Sequence, residues 1–154
     1  MPEKPQKIVL AYSGGLDTSV AAHWLRVERG YEVHCLTVDL GALGDVEGAR
    51  RRAAEAGAAS IDVVDAREDF LRYFVFPALQ ANVIYEGRYP LATALGRPLI
   101  AKLLVDKARA VGATAVAHGC TGKGNDQVRF DVGVQTLAPD LAIVGTTREH
   151  SISR

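Results

Sequence analysis

The chain has 154 residues, enough for one domain with a sizeable hydrophobic core. Its 18 acidic and 18 basic residues cancel, so we expect neither nucleic acid nor a membrane surface as a partner. No apolar run approaches the roughly 18–20 residues of a membrane-spanning helix, and the polar start, Met1-Pro2-Glu3-Lys4-Pro5, predicts no signal peptide. Two cysteines, Cys35 and Cys120, are too few for a disulfide framework and favour the reducing cytoplasm.

Strands and helices alternate along the chain. In chain order, apolar runs and amphipathic stretches predict a strand at Lys7–Tyr12, a helix at Asp17–Arg29, a strand at Glu32–Val38, a helix at Val46–Ala56, a strand at Ser60–Asp65, helices at Glu68–Val75 and Leu99–Val111, and strands at Ala113–Ala117 and Leu141–Val144. We expect Pro77 to break or restart the helix near it, and Pro98 to open the helix that follows.

This alternation predicts an α/β fold, a doubly wound, Rossmann-like parallel sheet of five strands with helices on both faces. Right-handed crossovers place ligand loops at the carboxyl ends of the strands, near the point where the strand order reverses. We therefore expect the loops after the first and fourth strands to lie side by side and to form the binding site.

The segment after the first strand is typical of an anion site. Leu10-Ala11-Tyr12-Ser13-Gly14-Gly15-Leu16-Asp17-Thr18-Ser19 joins a strand to a helix start. Its glycine pair lets a ligand approach the backbone, and the free N–H groups of a helix start suit phosphate oxygens. An ordinary tight turn is the alternative. Neither G-x-x-x-x-G-K-[ST] nor G-x-G-x-x-G occurs there, which argues against a P-loop triphosphatase and a dinucleotide fold.

Two further polar segments stand out. His118-Gly119-Cys120-Thr121-Gly122-Lys123-Gly124-Asn125-Asp126-Gln127-Val128-Arg129-Phe130 mixes glycines with a hydroxyl, an amide, a carboxylate and cations. That mixture suits a zwitterionic small molecule and phosphates, although a flexible solvated loop would look similar. Tyr85-Glu86-Gly87-Arg88-Tyr89-Pro90-Leu91-Ala92-Thr93-Ala94-Leu95-Gly96-Arg97-Pro98 is a long connection, which indicates a functional loop or a subunit contact.

The string S-G-G-L-D-T-S resembles the pyrophosphate loop of the N-type ATP pyrophosphatases, which have an adenine nucleotide alpha hydrolase-like fold. Together with Y-E-G-R-Y, R-P-L-I-A-K and H-G-C-T-G-K-G-N-D-Q-V-R-F, it resembles the nucleotide-binding domain of the argininosuccinate synthetase family over about Lys7 to Pro139. The resemblance implies a ligase of arginine biosynthesis that joins citrulline to aspartate with ATP and Mg²⁺, releases AMP and pyrophosphate, and is a homotetramer in its full-length members.

The resemblance also implies site residues. ATP would be held by Ala11, Tyr12, Ser13, Gly14, Gly15, Leu16, Asp17, Thr18, Ser19, Val38 and Gly119. Aspartate would be held by Thr121, Asn125 and Asp126. Citrulline would be held by Tyr89, Thr93, Asn125 and Arg129. We assign no catalytic base and no protein metal ligand, because the chemistry needs mainly positioning and charge stabilisation.

Some positions depart from the family pattern. Ala94 replaces a serine that contacts citrulline, Asp131 replaces the usual glutamate, and Gly145-Thr146-Thr147-Arg148 replaces an apolar-proline-tryptophan-arginine string. Family members are also much longer. We therefore expect residues 1–154 to be one nucleotide-binding domain that lacks a C-terminal synthetase and multimerisation domain and is inactive alone. A non-catalytic nucleotide-binding remnant, or a relative that adenylates a different ureido or carboxylate substrate, remains an alternative.

Overall fold

A computed structural model describes residues 5–122 and 124–149. Its strands are β1 Lys7–Ala11, β2 Glu32–Asp39, β3 Ser60–Asp65, β4 Ala115–His118 and β5 Ala142–Gly145. All neighbouring strands are parallel, in the order β3-β2-β1-β4-β5. The helices are α1 Leu16–Val27, α2 Val46–Glu55, α3 Arg67–Phe70, α4 Phe76–Gln80, α5 Ala92–Val111, α6 Asn125–Leu137 and α7 Thr146–Glu149, and a π-helical turn, Leu71–Val75, joins α3 to α4.

The sheet is covered on both faces, as predicted. Side chains of successive strand residues point to opposite faces, so Ile8 and Leu10 pack with α1 and α2, while Val9 packs with α5 and α6. All three residues are fully buried, and that double burial explains why β1 is apolar without alternation. No helix in the described part of the chain is long and apolar enough to cross a bilayer.

The strand order places a switch point between β1 and β4. β1 pairs with β2 on one side and with β4 on the other, in register at Ile8 with Val33 and Ala115. The connection after β1 therefore leaves in one direction and the connection into β4 arrives from the other, which opens a crevice at the carboxyl ends of the two strands. The expectation that the loops after these strands lie side by side is confirmed.

The prediction that Pro98 opens its helix is wrong. α5 begins at Ala92 rather than Leu99, and Pro98 lies inside it. The proline removes one helix donor, but the preceding turns are held by the Leu95 N–H donating to the Leu91 carbonyl at 2.9 Å. They also pack closely, since a Cβ on Gly96 would lie 2.8 Å from Leu40 Cδ1.

The expected restart near Pro77 is confirmed, since α4 begins at Phe76 and has the proline in its first turn. The backbone widens into the π-helical turn just before it, where the Phe76 N–H donates to the carbonyl of Leu71. Such widening relieves the clash of a proline ring with the preceding turn. The helical segment therefore runs without a break from α3 to the end of α4.

α6 was not predicted. The polar segment from His118 to Phe130 was given no helix, but its residues from Asn125 onward are helical, and His118 belongs to β4. Glycines at both the start and the interior hide the helical pattern. Gly133 lets α6 approach α5 closely, because a Cβ there would lie 3.1 Å from Ala101 Cβ. The helix is therefore stabilised by tertiary packing rather than by propensity.

Candidate functional site

A cavity of about 420 Å³ lies at the carboxyl ends of the central strands. Its wall combines the loop after β1, the end of β2, the end of β4 and the facing sides of α5 and α6. The lining residues are Ala11, Tyr12, Ser13, Asp17, Thr18, Leu36, Thr37, Val38, Leu40, Ala42, Leu43, Arg97, Ile100, His118, Gly119, Cys120 and Phe130. The volume and the mixed apolar and polar lining fit one small organic ligand.

Hydroxyl groups fix the loop between β1 and α1. The Thr18 hydroxyl donates to the Gly15 carbonyl at 3.2 Å and lies 3.1 Å from Ser13 Oγ. The backbone N–H of Gly15 donates to that same Ser13 oxygen at 3.3 Å. Gly15 is the N-cap of α1 and has no side-chain cap. The N–H groups of the first helical turn therefore face outward in a loop whose shape is already set.

Tyr12 anchors the loop to the sheet. Its carbonyl accepts a buried hydrogen bond of 2.8 Å from the Thr37 hydroxyl of β2. Its own hydroxyl lies 2.8 Å from Ser19 Oγ on α1. The side chain is 2% exposed, so β1, β2 and α1 are joined at one residue beneath the cavity.

His118 joins β4 to α6 on the other side of the cavity. Its Nδ1 accepts from the Cys120 N–H at 3.3 Å, and its Nε2 lies 3.2 Å from an oxygen of Asp131. This pattern assigns the proton of the neutral ring to Nε2. The ring stacks on Phe130 with centroids 5.2 Å apart. The two ring nitrogens therefore set both the turn at Gly119 and the angle of α6.

Two threonines hold the carbonyls of this turn. The Thr146 hydroxyl donates to the His118 carbonyl at 3.2 Å, and the Thr147 hydroxyl donates to the Gly119 carbonyl at 3.1 Å. Thr146 is buried, whereas Thr147 is exposed.

A carboxylate between two arginines lies beside the cavity. Arg97 Nη2 donates to one Asp126 oxygen at 3.0 Å, and Arg129 Nη1 donates to the other at 2.8 Å. The Arg97 guanidinium also lies over the Phe130 ring, 5.7 Å from its centroid. Burial raises the pKa of Asp126, but the hydrogen bonds and charges of the two arginines outweigh it and lower that pKa overall. The network is therefore charged at neutral pH.

The thiols are unsuited to nucleophilic chemistry. Cys35 is fully buried in β2, and that burial raises its pKa to about 12. Burial is also the main influence on Cys120 and raises its pKa. A thiolate is therefore disfavoured at both positions.

Known proteins match this geometry and this sequence. A family model described as "Arginosuccinate synthase N-terminal HUP domain" matches residues 7–154. The chain belongs to this family. Argininosuccinate synthase of Gloeobacter violaceus is 58% identical over 98% of this chain and 38% of its own length. That of Oceanobacillus iheyensis is 55% identical over 97% of this chain and 36% of its own length. The chain thus spans well under half of these curated relatives.

Solved structures share the fold. A predicted subunit of tRNA methyltransferase from Methanocaldococcus jannaschii superposes with a TM-score of 0.62 at 16% identity, covering 91% of this chain and 67% of its own. The NH3-dependent NAD synthetase of Campylobacter jejuni superposes with a TM-score of 0.54 at 17% identity, covering 78% of this chain and 49% of its own. At such identities these likenesses show the HUP-type α/β architecture alone.

The synthase-family residues expected to bind ATP lie mostly around the cavity. Those that line it are Ala11, Tyr12, Ser13, Asp17, Thr18, Val38 and Gly119. Gly14, Gly15, Leu16 and Ser19 lie on the same loop and the first turn of α1, outside the lining. Lys123 of the glycine-rich motif and the chain start at Met1–Lys4 lie outside the described residues.

The residues expected to bind the two amino acids lie outside the cavity lining. Tyr89 and Thr93 are together, with their hydroxyl oxygens 2.9 Å apart. Asn125 and Asp126 begin α6, and the Thr121 carbonyl accepts from the Gly124 N–H at 3.2 Å just before it. Asp126 and Arg129 were assigned to different substrates, yet they pair with each other.

Sequence reasoning missed several residues of the cavity. Arg97 stands in the quoted string R-P-L-I-A-K but was given no role, and Thr37 and His118 were also unassigned. The position of Thr37 one residue before Val38 was a usable signal. The contact between Arg97 and Asp126 left no signal in the sequence, because it joins residues of two different helices. In the described residues, no group of three or more histidine, cysteine, aspartate or glutamate side chains could hold a metal ion.

Proposed function

We propose that the chain is the ATP-binding part of an enzyme that joins citrulline to aspartate and releases AMP and pyrophosphate, in arginine biosynthesis. The observation that carries this proposal is the cavity at the switch point. One side of it is a hydroxyl-braced glycine loop at a helix start, and the other is the Gly119 turn. Membership of the argininosuccinate synthase family supports the choice of reaction.

ATP would bind across the strand ends. Its β- and γ-phosphates would accept from the backbone between Ser13 and Ser19 and from the hydroxyls there, where the helix start favours negative charge. The adenine would lie against the apolar residues that follow β2, including Val38 and Leu40. Gly119 would contact the sugar and the first phosphate from the opposite side.

Mg²⁺ would arrive with the nucleotide. Asp17 is the one carboxylate in the described lining of the cavity, and Mg²⁺ commonly takes one or two carboxylates together with phosphate oxygens and waters. The donor set therefore fits a nucleotide-bound ion rather than a resident one. Such an ion would neutralise charge on the departing pyrophosphate.

The amino acids would bind beside the α-phosphate, at the start of α6 and at the loop before α5. Arg129 suits the α-carboxylate of citrulline, because a guanidinium pairs with a carboxylate through two parallel hydrogen bonds. Tyr89, Thr93 and Asn125 would complete its contacts. Thr121, Asn125 and Asp126 would hold aspartate, since a carboxylate has lone pairs left after accepting one bond at each oxygen.

The chemistry would then need little beyond placement. The ureido oxygen of citrulline attacks the α-phosphorus, the bond to the β-phosphate breaks, and pyrophosphate leaves with the electron pair. The amine of aspartate then displaces AMP from the citrullyl-adenylate. No strong base is required, and orientation with charge stabilisation supplies the rate.

The longer relatives bear on what residues 1–154 do alone. Because the curated relatives extend well beyond the matched part, we propose that citrulline turnover, a second domain and homotetramer formation belong to a longer protein. We expect no useful turnover by residues 1–154. The cytoplasm remains the predicted location.

A hydroxyl pair on two helices gives a matched test of the nucleotide site. Thr18→Val removes a hydroxyl from the loop, and Thr136→Val removes one from an exposed turn of α6, where it donates to its own helix at 2.7 Å. In calorimetric titrations with ATP and Mg²⁺, and with pyrophosphate, Thr18→Val should weaken both about 3- to 10-fold, since a net hydrogen bond is worth roughly 0.5–1.5 kcal/mol. Thr136→Val should bind like the parent chain. Equal binding by all three proteins would place the nucleotide elsewhere.

A further inference from the structure

Arg97 is the one lysine or arginine in the described lining of the cavity. Its side chain extends from α5, on the opposite face of the sheet from the glycine loop and α1. Asp126 holds one end of the guanidinium at 3.0 Å, and the Phe130 ring lies beneath it. The cation is therefore positioned at the cavity wall before any ligand binds.

One donor of this guanidinium is unused. Arg97 Nε is buried and makes no hydrogen bond to the described residues. Buried donors almost always have a partner. The guanidinium faces a cavity that has no other lysine or arginine in its described lining, so the ligand chemistry that it favours there is that of an anion.

We propose that Arg97 binds the α-phosphate of ATP and that Asp126 is its positioning residue; this rests on the proposed function. The glycine loop would take the β- and γ-phosphates at the start of α1, and the apolar residues after β2 would take the base. The phosphate between these two parts faces the wall from which Arg97 reaches.

This placement gives Arg97 a part in the reaction. As the ureido oxygen bonds to the α-phosphorus and the bond to pyrophosphate breaks, charge builds on the non-bridging α-phosphate oxygens. A fixed guanidinium at those oxygens stabilises that charge and keeps its own proton throughout. The Asp126 carboxylate remains ionised and holds the guanidinium in one orientation.

The test compares three ligands on the 154-residue chain: ATP with Mg²⁺, AMP and pyrophosphate. Arg97→Gln should weaken ATP and AMP about tenfold or more, because a charge-assisted contact is lost, and should change pyrophosphate by less than about twofold. Arg109→Gln is the matched control, since Arg109 is on the same helix but pairs with Asp140 on the exposed side. It should bind all three ligands like the parent chain.

Arg97→Lys provides the second variant if Arg97→Gln unfolds, which thermal unfolding will show. Lysine keeps the charge but lacks the Nε position, so ³¹P NMR of bound ATP should show a displaced α-phosphate resonance with the β and γ resonances unchanged. Unchanged ATP binding in a folded Arg97→Gln chain would overturn the inference, and so would an equal loss of pyrophosphate binding. A parent chain that binds no ATP would instead refute the proposed function.

Discussion

The Nε of Arg52, on α2, donates to the carbonyl oxygen of Gly14, in the loop between β1 and α1, at 2.7 Å. Gly14 has a positive φ of 79°, and a Cβ added there would lie 2.8 Å from the Cβ of Ala49. The loop is thus held to α2 by close packing of Gly14 on Ala49 and by the hydrogen bond from Arg52. Its shape is set by a helix that supplies no lining residue of the cavity.

Loss of the Arg52 contact should loosen the loop without touching the ligand. Arg52→Gln should lower the free energy of unfolding by about 1 kcal/mol, the typical value of one hydrogen bond, and weaken pyrophosphate binding several-fold because the loop must then be ordered on binding. Urea unfolding and calorimetry measure the two effects. Arg51→Gln is the control, since Arg51 is exposed and its Nε lies 4.0 Å from Glu55 Oε1. A similar loss in that variant would mean that the general charge of the helix, and not the loop contact, is responsible.

Gly15 offers a way to separate stability from binding. It is the uncapped N-cap of α1 with extended backbone, φ −82° and ψ 172°, a position where aspartate is strongly favoured. Gly15→Asp should therefore fold at least as stably as the parent chain, with a gain of about a few tenths of a kcal/mol, since glycine is itself a tolerated N-cap. Its carboxylate would occupy the N–H groups that phosphate needs and repel the anion, so ATP and pyrophosphate binding should be lost.

Gly15→Ala is the comparison for that variant. A Cβ at this position has only Ser13 Oγ nearby, at 3.4 Å, and alanine leaves the N–H groups open. Near-normal binding by Gly15→Ala, together with lost binding by a stable Gly15→Asp, would locate the phosphates at the helix start. If Gly15→Asp still bound ATP and pyrophosphate, the phosphates would not lie at the start of α1.

The pairing of Asp126 with two arginines should make part of the free energy of unfolding depend on pH. Burial raises its pKa, but the arginines lower it below the ordinary value of about 3.9. A depressed carboxyl pKa stabilises the fold at pH values above the unfolded pKa, and that contribution is lost as the pH falls through the folded pKa.

Asp126→Asn should therefore be less stable than the parent chain at pH 7, by on the order of 0.5–1 kcal/mol for a partly exposed network. The difference should begin to shrink as the pH falls below the unfolded pKa of about 3.9, and it should be lost as the pH falls through the lower pKa of the folded carboxyl. Urea unfolding of both chains between pH 3 and pH 7 measures it. A difference that stayed constant over this range would assign the effect to shape rather than to charge.

The features that the sequence could predict are those whose residues are neighbours in the chain, such as an apolar strand or a loop of contiguous polar residues. The five strands were predicted because burial on both faces leaves uninterrupted apolar runs such as Ile8–Leu10. The loop before α1 was predicted because its strand, glycines and hydroxyls are contiguous. The course of α5 through Pro98 and the start of α6 were not, since packing overrides weak local propensity at both. The contact of Arg97 with Asp126 joins two helices, and no local pattern reports it.

The threonines after β5 give a last prediction, because both donate to backbone carbonyls at the end of β4 and the turn that follows it. The Thr146 hydroxyl is buried, and it is the donor to the His118 carbonyl at the end of β4. Thr146→Val keeps the shape but removes this donor from a buried carbonyl, which should cost about 1–2 kcal/mol of unfolding free energy. It should also weaken ATP binding, because the turn at Gly119 begins at that carbonyl.

Thr147→Val is the control. It removes an exposed donor to the Gly119 carbonyl, which water can replace, so the free energy of unfolding of this variant should change by less than about 0.5 kcal/mol. Thermal unfolding with and without ATP tests both variants. Equal effects of the two substitutions would mean that the buried hydroxyl has no special part in shaping the turn after β4.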